Sequence, residues 1–269
     1  MDKMDGDWEA LAGIKTDEAL RVLVADLHIH TCLSPCADLD MTPIKIVREA
    51  LRKELSFIAI TDHNSAQNAA AVTAAARDSH LTVIPGIEVT TSEEVHIIGL
   101  FEEILSALSM QELVYEHLQP GENDEDLFGI QVVANEFDEV EEINKRLLMG
   151  ATLLSLDDVI HGIHERGGLA VAAHVDRQSF SILSQLGFIP ESLNLDAIEI
   201  SKRMTLAEAR ERFSQYAEVP FITASDAHFP EEIGVSPICL KVASADISEV
   251  RLALTGQEER RVLQAIPTC

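Results

Sequence analysis

Basic residues are scarce in this chain. It has 20 lysines and arginines against 46 aspartates and glutamates, which gives a formal net charge of −26. Such a charge repels polyanions, and no run of lysine and arginine interleaved with aromatic residues offsets it. We therefore expect no stable nucleic-acid scaffold as a partner. A local basic pocket for a small phosphate ester is compatible with this composition.

Cysteine and long apolar runs are also lacking. The four cysteines, Cys32, Cys36, Cys239 and Cys269, are too few and too unevenly placed for a disulfide framework. No stretch approaches the ~20 apolar residues of a membrane span, and the acidic N-terminus leads into no apolar signal core. With 46% hydrophobic residues, the chain can bury a full core. We therefore expect a soluble, cytoplasmic, folded protein with no membrane partner.

Apolar stretches rich in valine, isoleucine and leucine alternate with segments of helical pattern. Helix-start signals precede several of these segments, as at Ser155 with Asp158 and Thr205 with Glu208. The predicted strands are 22–27, 56–60, 81–84, 95–101, 169–173, 197–200, 221–224 and 238–242. This order predicts right-handed crossovers and a parallel sheet, in a barrel-like α/β domain of about seven β-α repeats.

The regular pattern weakens between residues 102 and 150. This span holds 13 acidic and only two basic residues. We interpret it as an acidic insertion with a solvated, partly helical surface. It would lie within a single domain that spans residues 1–269.

Histidines and carboxylates stand at the ends of the predicted strands. His28 and His30 are two residues apart and therefore face the same side of a strand, and Asp226 and His228 repeat this spacing. In α/β barrels the working residues lie at the C-terminal strand ends. The residues of ligand type at these ends are His28, His30, His63, Glu88, His174, Asp226 and His228, with His96 on a strand nearby. The sequence therefore predicts a multinuclear metal site.

These motifs resemble the PHP family, which is named for its polymerase and histidinol phosphatase members. The matching motifs are His28-Ile29-His30, Thr61-Asp62-His63, Gly86-Ile87-Glu88, His96, Ala173-His174 and Asp226-Ala227-His228. The resemblance covers roughly residues 22–242. It implies a distorted seven-stranded (β/α) barrel with up to three metals at its C-terminal face.

The resemblance also implies three groups of metal ligands. They are His28, His30, Glu88 and Asp226; Glu88, as a bridge, with His96 and His174; and Asp38, His63 and His228. The loop after His30 departs from the family's Ser-Asp-Gly pattern, so Asp40 is an alternative to Asp38. Mixed imidazole and carboxylate ligands suit two or three divalent ions of Mn, Fe or Zn and do not choose among them.

Residue chemistry suggests catalytic roles within this set. Glu88 can bridge two cations because a carboxylate has two oxygens. Two cations ~3.5–4 Å apart lower the pKa of a bridging water and stabilise an in-line displacement at phosphorus. His63 or His228 would bind a phosphoryl oxygen or assist the leaving group. Asp62 would orient a metal ligand by contacting that ligand and not the metal.

Two arginines are candidates for binding the substrate phosphate. Arg177 lies three residues after His174 and resembles the arginine that often follows this histidine in the family. Arg203 follows another predicted strand at the same end of the barrel. Arginine is favoured over lysine for bidentate phosphate binding.

We therefore expect a metal-dependent phosphoric ester hydrolase. The resemblance implies that its partner is a small phosphorylated substrate, a phosphate monoester or nucleotide, attacked by a hydroxide that bridges the metals. Two alternatives stay open: an amidohydrolase-like hydrolase, which would want a carbamylated lysine at a strand end, and a non-catalytic metal-binding regulatory module. Cys32 and Cys36 could bind metal or form a disulfide, but we interpret them as small loop residues. The sequence leaves the oligomeric state open.

Overall fold

The computed structural model describes residues 19–263, so the predicted domain of residues 1–269 extends beyond the described part. The strands are β1 Arg21–Ile29, β2 Phe57–Ile60, β3 Thr82–Thr90, β4 His96–Leu100, β5 Val132–Ala134, β6 Val140–Ile143, β7 Leu169–Ala172, β8 Ala197–Ile200, β9 Phe221–Thr223, β10 Ile238–Val242 and β11 Arg261–Leu263. The helices are α1 Pro43–Arg52, α2 Ala69–Ala75, α3 Ile104–His117, α4 Glu125–Phe128, α5 Leu156–Glu165, α6 Ile182–Leu186, α7 Leu206–Arg212 and α8 Ile247–Thr255.

Nine strands form one barrel-like sheet, in the order β11-β10-β1-β2-β3-β4-β7-β8-β9. A parallel bridge between Ile29 and Ala227 brings the end of β1 to the segment after β9, so the sheet is nearly closed. The predicted α/β barrel is therefore confirmed, with nine strands in the sheet rather than seven. The two C-terminal strands, β10 and β11, extend the sheet beyond β1.

The sheet is mixed rather than parallel. β4 runs antiparallel to both β3 and β7. Only residues 91–95 separate β3 from β4, and a connection this short cannot carry the crossover that a parallel pair needs. The order of strands and helices alone does not show this reversal.

A bulge in β1 aims the first two histidines into the barrel. β1 advances three residues from Asp26 to Ile29 while its neighbour β2 advances two, from Ile58 to Ile60. The extra residue reverses which side chains face inward. Before the bulge Leu23 and Ala25 belong to the apolar interior of the barrel; after it, His28 and His30 face the mouth.

Apolar residues of the inner faces fill the lower part of the barrel, including Phe57, Ile84, Ile98 and Val171. On two strands the next inward-facing positions toward the mouth are polar: Glu88 on β3 and Glu199 on β8. The outer faces pack against the helices in two further clusters. The lower part of the barrel interior is thus apolar, and its mouth is polar.

The segment 102–150 contributes to the folded body and also supports the loops around the mouth. Met110 and Val114 of α3 are fully buried in the main outer cluster. Asp138, in the turn between β5 and β6, accepts hydrogen bonds from the Ile44 N–H at 2.9 Å and the Thr42 hydroxyl at 2.8 Å. It therefore supplies the acceptor at the start of α1 that the Thr42 side chain does not provide. Within residues 19–263, no helix is long and apolar enough to cross a membrane.

Candidate metal centre

Glu88 lies at the middle of the polar mouth and is only 1% exposed. Its Oε1 atom lies 2.9 Å from His96 Nδ1 and 3.3 Å from His174 Nε2. Its Oε2 atom lies 2.9 Å from His63 Nδ1. His28 Nε2 lies 3.4 Å from Oε1, and His30 Nε2 lies 3.5 Å from Oε2. Five imidazoles, two on β1 and β4 and three in the segments that follow β1, β2 and β7, therefore surround one carboxylate.

Asp226 is a second carboxylate at the mouth, beside His28 and His30. Its Oδ1 atom lies 3.4 Å from His28 Nε2 and 3.2 Å from His30 Nε2. Asp226 has a backbone φ of +48°, and His174 has a φ of +29°. Such left-handed conformations are costly for these residue types and cluster at functional sites. The hydrogen bonds of the Asp26 carboxylate to Ser225 N at 3.0 Å and Gly234 N at 2.8 Å hold this loop in place.

Three overlapping groups among the described residues present donor atoms close enough to hold a metal ion. They are His28, His30 and Asp226; His63, Glu88 and His96; and His30, His63 and His228. The groups share His30 and His63 and contain seven of the nine predicted ligands. His174, whose Nε2 lies 3.3 Å from Glu88 Oε1, is the eighth at this centre. The mouth therefore contains groups that could bind divalent metal ions.

The Nδ1 atoms of three of these histidines face oxygen atoms, as is usual for histidines that bind metal. The Nδ1 atom of His28 faces Glu199, that of His30 faces the Ser34 hydroxyl at 2.9 Å, and that of His228 faces the Asp226 carbonyl at 3.0 Å. Each Nδ1–H can donate to its oxygen partner, which leaves the Nε2 lone pair directed at the centre.

Buried polar atoms without hydrogen bonds give a test of fit. Glu88 Oε2, His96 Nδ1 and His174 Nδ1 are buried and make no hydrogen bond of acceptable geometry. Buried polar groups in folded proteins are almost always satisfied. Cations at the mouth would satisfy atoms of this kind, so the residues present fit a metal centre.

Electrostatics also favour the ligand forms of two central groups. Burial raises the pKa of Glu88, but its electrostatic interactions with His96, His28 and His63 outweigh burial and hold that pKa well below its usual value. Burial, together with the neighbouring His228 and His63, lowers the pKa of His30 well below its usual value. Glu88 is therefore ionised and His30 neutral, the forms that bind metal.

Glu199 is a buried partner that our sequence reasoning missed. Its two carboxylate oxygens lie 3.2 and 3.0 Å from His28 Nδ1, and Oε1 also accepts the His174 N–H at 3.2 Å. It is 1% exposed. A glutamate within the apolar strand Ala197-Ile198-Glu199-Ile200 was the available signal, because a buried carboxylate needs a partner.

Asp62 lies behind the centre, where the sequence analysis expects it. Its carboxylate accepts hydrogen bonds from Thr31 N at 2.7 Å, the Thr31 hydroxyl at 2.8 Å and the Ser34 hydroxyl at 2.7 Å. Ser34 in turn contacts His30 Nδ1. Asp62 thus supports His30 through Ser34, and its proposed orienting role remains a prediction that this chain of contacts favours.

The structure does not bring Asp38 into the cluster. Its Oδ1 atom accepts the Asp40 N–H at 2.8 Å, which closes a turn of its own loop, and Asp40 is exposed. The side chain that reaches the cluster from this loop is Cys36, whose Sγ lies 3.1 Å from His228 Nε2. The resemblance implied Asp38 as the ligand from this loop, with Asp40 as the alternative, and the sequence alone does not show how the loop turns.

Cys36 and Cys32 have opposite environments and are not bonded to each other. Burial raises the pKa of the Cys36 thiol, but His63 and His228 outweigh burial and lower that pKa to about 6. Burial raises the pKa of the Cys32 thiol to about 12, and its Sγ faces the Val132 carbonyl at 3.7 Å. Cys32 packs in the interior, whereas Cys36 belongs to the mouth.

The two predicted phosphate-binding arginines occupy different positions. Arg177 pairs with the Asp226 carboxylate, and its side chain is 40% exposed at the mouth. Arg203 is exposed at the start of the segment that leads to α7, near Glu208 and Glu211. Arg177 is therefore at the cluster, and Arg203 is not brought to it.

A model of the PHP domain family matches residues 26–216 of the sequence. The chain belongs to the PHP domain family. The chain is 26% identical over 259 residues to the 5'-3' exoribonuclease Rnm of Escherichia coli (strain K12), with 77% of this chain and 86% of the exoribonuclease covered. It is 32% identical over 106 residues to protein YqxK of Bacillus subtilis (strain 168), which covers 38% of this chain.

Solved structures share the fold of this PHP domain. Endonuclease Q from Pyrococcus furiosus, a lesion-specific enzyme, matches 90% of this chain with a TM-score of 0.65 and 16% identity. Endonuclease Q in complex with a 27-mer duplex substrate that has an abasic lesion at the active site gives a TM-score of 0.67. The chain spans 27% of the length of YqxK and 58% of that of endonuclease Q.

These relatives correct our expectation about the partner. Rnm is an exoribonuclease, and endonuclease Q is seen on a DNA duplex. The expectation of a small phosphorylated substrate as the partner is therefore contradicted by these relatives, which are an exoribonuclease and an endonuclease. The net charge of −26 is a property of the whole chain. It does not describe the few groups at the mouth that would meet a phosphodiester.

Proposed function

We propose that this chain is a metal-dependent phosphodiesterase that removes nucleotides from the end of a nucleic-acid strand. The observation that carries the proposal is the convergence of imidazoles and a second carboxylate around the buried Glu88. Members of the PHP domain family are metal-dependent hydrolases, and the mouth has the donor set for that chemistry. None of the lysines of the described residues is buried, which disfavours the carbamylated lysine of an amidohydrolase.

Divalent ions would be held by neighbouring sets of these donors. His28, His30 and Asp226 would hold one ion; Glu88, His96 and His174 a second; and His63 and His228 would contribute to a third. When bound, such ions supply a nucleophile from water at neutral pH and stabilise an in-line displacement at phosphorus. Glu88 would share its two oxygens between neighbouring ions.

The remaining side chains would bind the substrate and handle protons. The Arg177 guanidinium lies at the mouth and pairs with Asp226. Its exposed N–H groups could donate to a phosphoryl oxygen. In the absence of a third ion, His228, whose side chain is 19% exposed, would instead donate to the leaving oxygen or bind the phosphoryl group. Asp62 and Glu199 touch histidines or their supports rather than the substrate, and would hold the ligands in register.

Two observations support a nucleic-acid end as the substrate. The first is the similarity to Rnm, which extends over 77% of this chain and 86% of that exoribonuclease. The second is the charge of −26, because a long polyanion bound along the surface would be repelled. A strand end needs to place only its terminal phosphates at the mouth, where bound cations would offset the local negative charge.

The test uses single-stranded RNA and DNA oligonucleotides of one sequence, labelled at either the 5' or the 3' end. The protein is first loaded with Mn, Fe or Zn. We expect stepwise loss of nucleotides from one end. His30→Ala should abolish the products, whereas His161→Ala should retain them, because the His161 side chain is 73% exposed on α5. Circular dichroism should show that both variants are folded.

Two results would contradict the proposal. Intact oligonucleotides with metal-loaded wild-type protein would remove the nuclease activity. Cleavage at internal positions without shortening from an end would overturn the strand-end preference. Phosphate release from mononucleotides alone, with all oligonucleotides intact, would show that the substrate is a small phosphate ester and not a nucleic-acid strand.

A further inference from the structure

The outermost of the three donor groups has an unexpected fourth neighbour. His30, His63 and His228 face one another, and the loop carboxylate that the family resemblance implies is turned away from them. Cys36 Sγ stands in this position instead, 3.1 Å from His228 Nε2 and in contact with His63. A soft donor therefore faces two imidazoles at a site where a hard oxygen donor was expected.

The loop is built so that Cys36 is held over the histidines. Ala37 N donates to the Ser34 carbonyl at 2.9 Å, and Asp38 N donates to the His228 carbonyl at 2.8 Å. These bonds fix the backbone on both sides of Cys36 relative to His228. The Ser34 hydroxyl also accepts the His63 N–H at 3.1 Å, which ties the start of the loop to the second histidine.

The segment 102–150 backs this loop from outside. Gly129 packs so closely on Pro35 that an added Cβ would lie 2.5 Å from the Pro35 carbonyl oxygen. Gly129 has a φ of +98°, which favours glycine there. Val132 N donates to the Cys32 carbonyl at 2.9 Å. The position of Cys36 is therefore set by contacts on both sides of the loop.

His228 is already prepared to be a ligand on the side that faces Cys36. Its Nδ1–H can donate to the Asp226 carbonyl at 3.0 Å, which leaves the Nε2 lone pair directed at Sγ. His63 is 5% exposed and contacts Glu88 through Nδ1, so it links this group to the centre. Two imidazoles and one sulfur are a donor set that suits zinc, ferrous iron or cobalt.

We propose that Cys36, as a thiolate, binds a divalent metal ion together with His63 and His228, in place of a loop carboxylate. The thiolate would favour Zn, Fe or Co over Mg or Mn at this position, because soft donors prefer these ions. The proposal rests on the proposed metal centre but does not require that the protein be a nuclease. Cys32, which packs against the Val132 carbonyl, has no part in it.

The test is the absorption spectrum of protein reconstituted with Co(II) alone. Wild-type protein should show a near-ultraviolet charge-transfer band from thiolate to Co(II). Cys36→Ser should lose the band and one Co(II) per chain, whereas Cys32→Ser should keep both. Cys36→Asp should lose the band but keep the metal count. The melting temperature of each apo variant, measured in parallel, shows whether it is folded.

Several results would overturn the assignment. One is a wild-type protein that is loaded with Co(II) but has no such band. Another is a band that persists in folded Cys36→Ser, since the sulfur would then come from another cysteine. A Cys36→Ser variant that keeps the full metal count would also oppose it. Inactivity on nucleic acids with the band present would refute the proposed function and leave this assignment standing.

Discussion

Replacing Glu199 by glutamine should weaken metal binding without removing any ligand. Glu199 is buried on the inner face of β8, and both of its oxygens lie within 3.2 Å of His28 Nδ1. The carboxylate fixes the ring so that Nε2 faces Glu88 and Asp226, and its charge makes that nitrogen a stronger base. Glutamine keeps the size and one acceptor but loses the charge.

The expected loss follows from the usual effect of such supporting carboxylates. Removal of a group that holds a ligating histidine costs about tenfold to 100-fold in metal affinity, which corresponds to about 1.4–2.7 kcal/mol. Because Glu199 also accepts the His174 N–H, the variant should lie toward the upper part of this range. Affinity can be measured for Zn or Co by competition with a chromophoric chelator.

The matched control is Glu211→Gln, which makes the same chemical change at an exposed position of α7. It should leave the affinity unchanged. If Glu199→Gln bound metal as tightly as wild-type protein, or no more weakly than Glu211→Gln, Glu199 would not orient His28 for metal binding.

Three further substitutions test how the fold supports the mouth. Gly86→Ala should destabilise the protein by about 1–3 kcal/mol in urea unfolding, because the new Cβ would lie 2.8 Å from the Gly99 carbonyl oxygen. Unchanged stability would mean that β3 and β4 can move apart to accept the Cβ. Asp138→Ala should cost about 0.5–2 kcal/mol through loss of the acceptor for Ile44 N at the start of α1, and no loss would show that water replaces it. Asp246 begins α8; burial raises its pKa, but hydrogen bonds from nearby hydroxyl and backbone groups outweigh burial and hold that pKa below its usual value. A lowered carboxyl pKa stabilises the fold above the unfolded pKa, and this stabilisation is lost as the pH falls through the lowered pKa. The cost of Asp246→Asn, about 1 kcal/mol at pH 7, should therefore shrink as the pH falls below about 4, and a cost independent of pH would contradict this.

The sequence was sufficient to predict which side chains converge, with the exception of Asp38, because strand ends meet at one face of a barrel. The spacing of His28 and His30, repeated at Asp226 and His228, predicted their convergence, and the structure brings these side chains together. The barrel class also followed from the alternation of strands and helices. Confirmation came from the family match and the nearly closed sheet.

Other features depend on contacts between segments that are far apart in the chain. The bulge in β1 is a matter of register with β2, so the spacing within β1 alone does not show which side faces inward. Glu199 meets His28 across 171 residues. The choice of Cys36 over Asp38 depends on a loop that is fixed from outside by the segment around Gly129. The small phosphorylated substrate was taken from the family resemblance, and nucleic acid was disfavoured because the total charge was used for a local question.

Metal content per chain is the most direct test of the account. Apo protein would be loaded with Zn, Fe or Mn, separated from free metal by gel filtration and measured by inductively coupled plasma mass spectrometry. We expect about two to three ions per wild-type chain with the preferred metal. Glu88→Ala should lose at least one of them, whereas the exposed His161→Ala should lose none. A wild-type protein that retains less than one ion of every metal, or a Glu88→Ala variant with undiminished content, would contradict a metal centre built around Glu88.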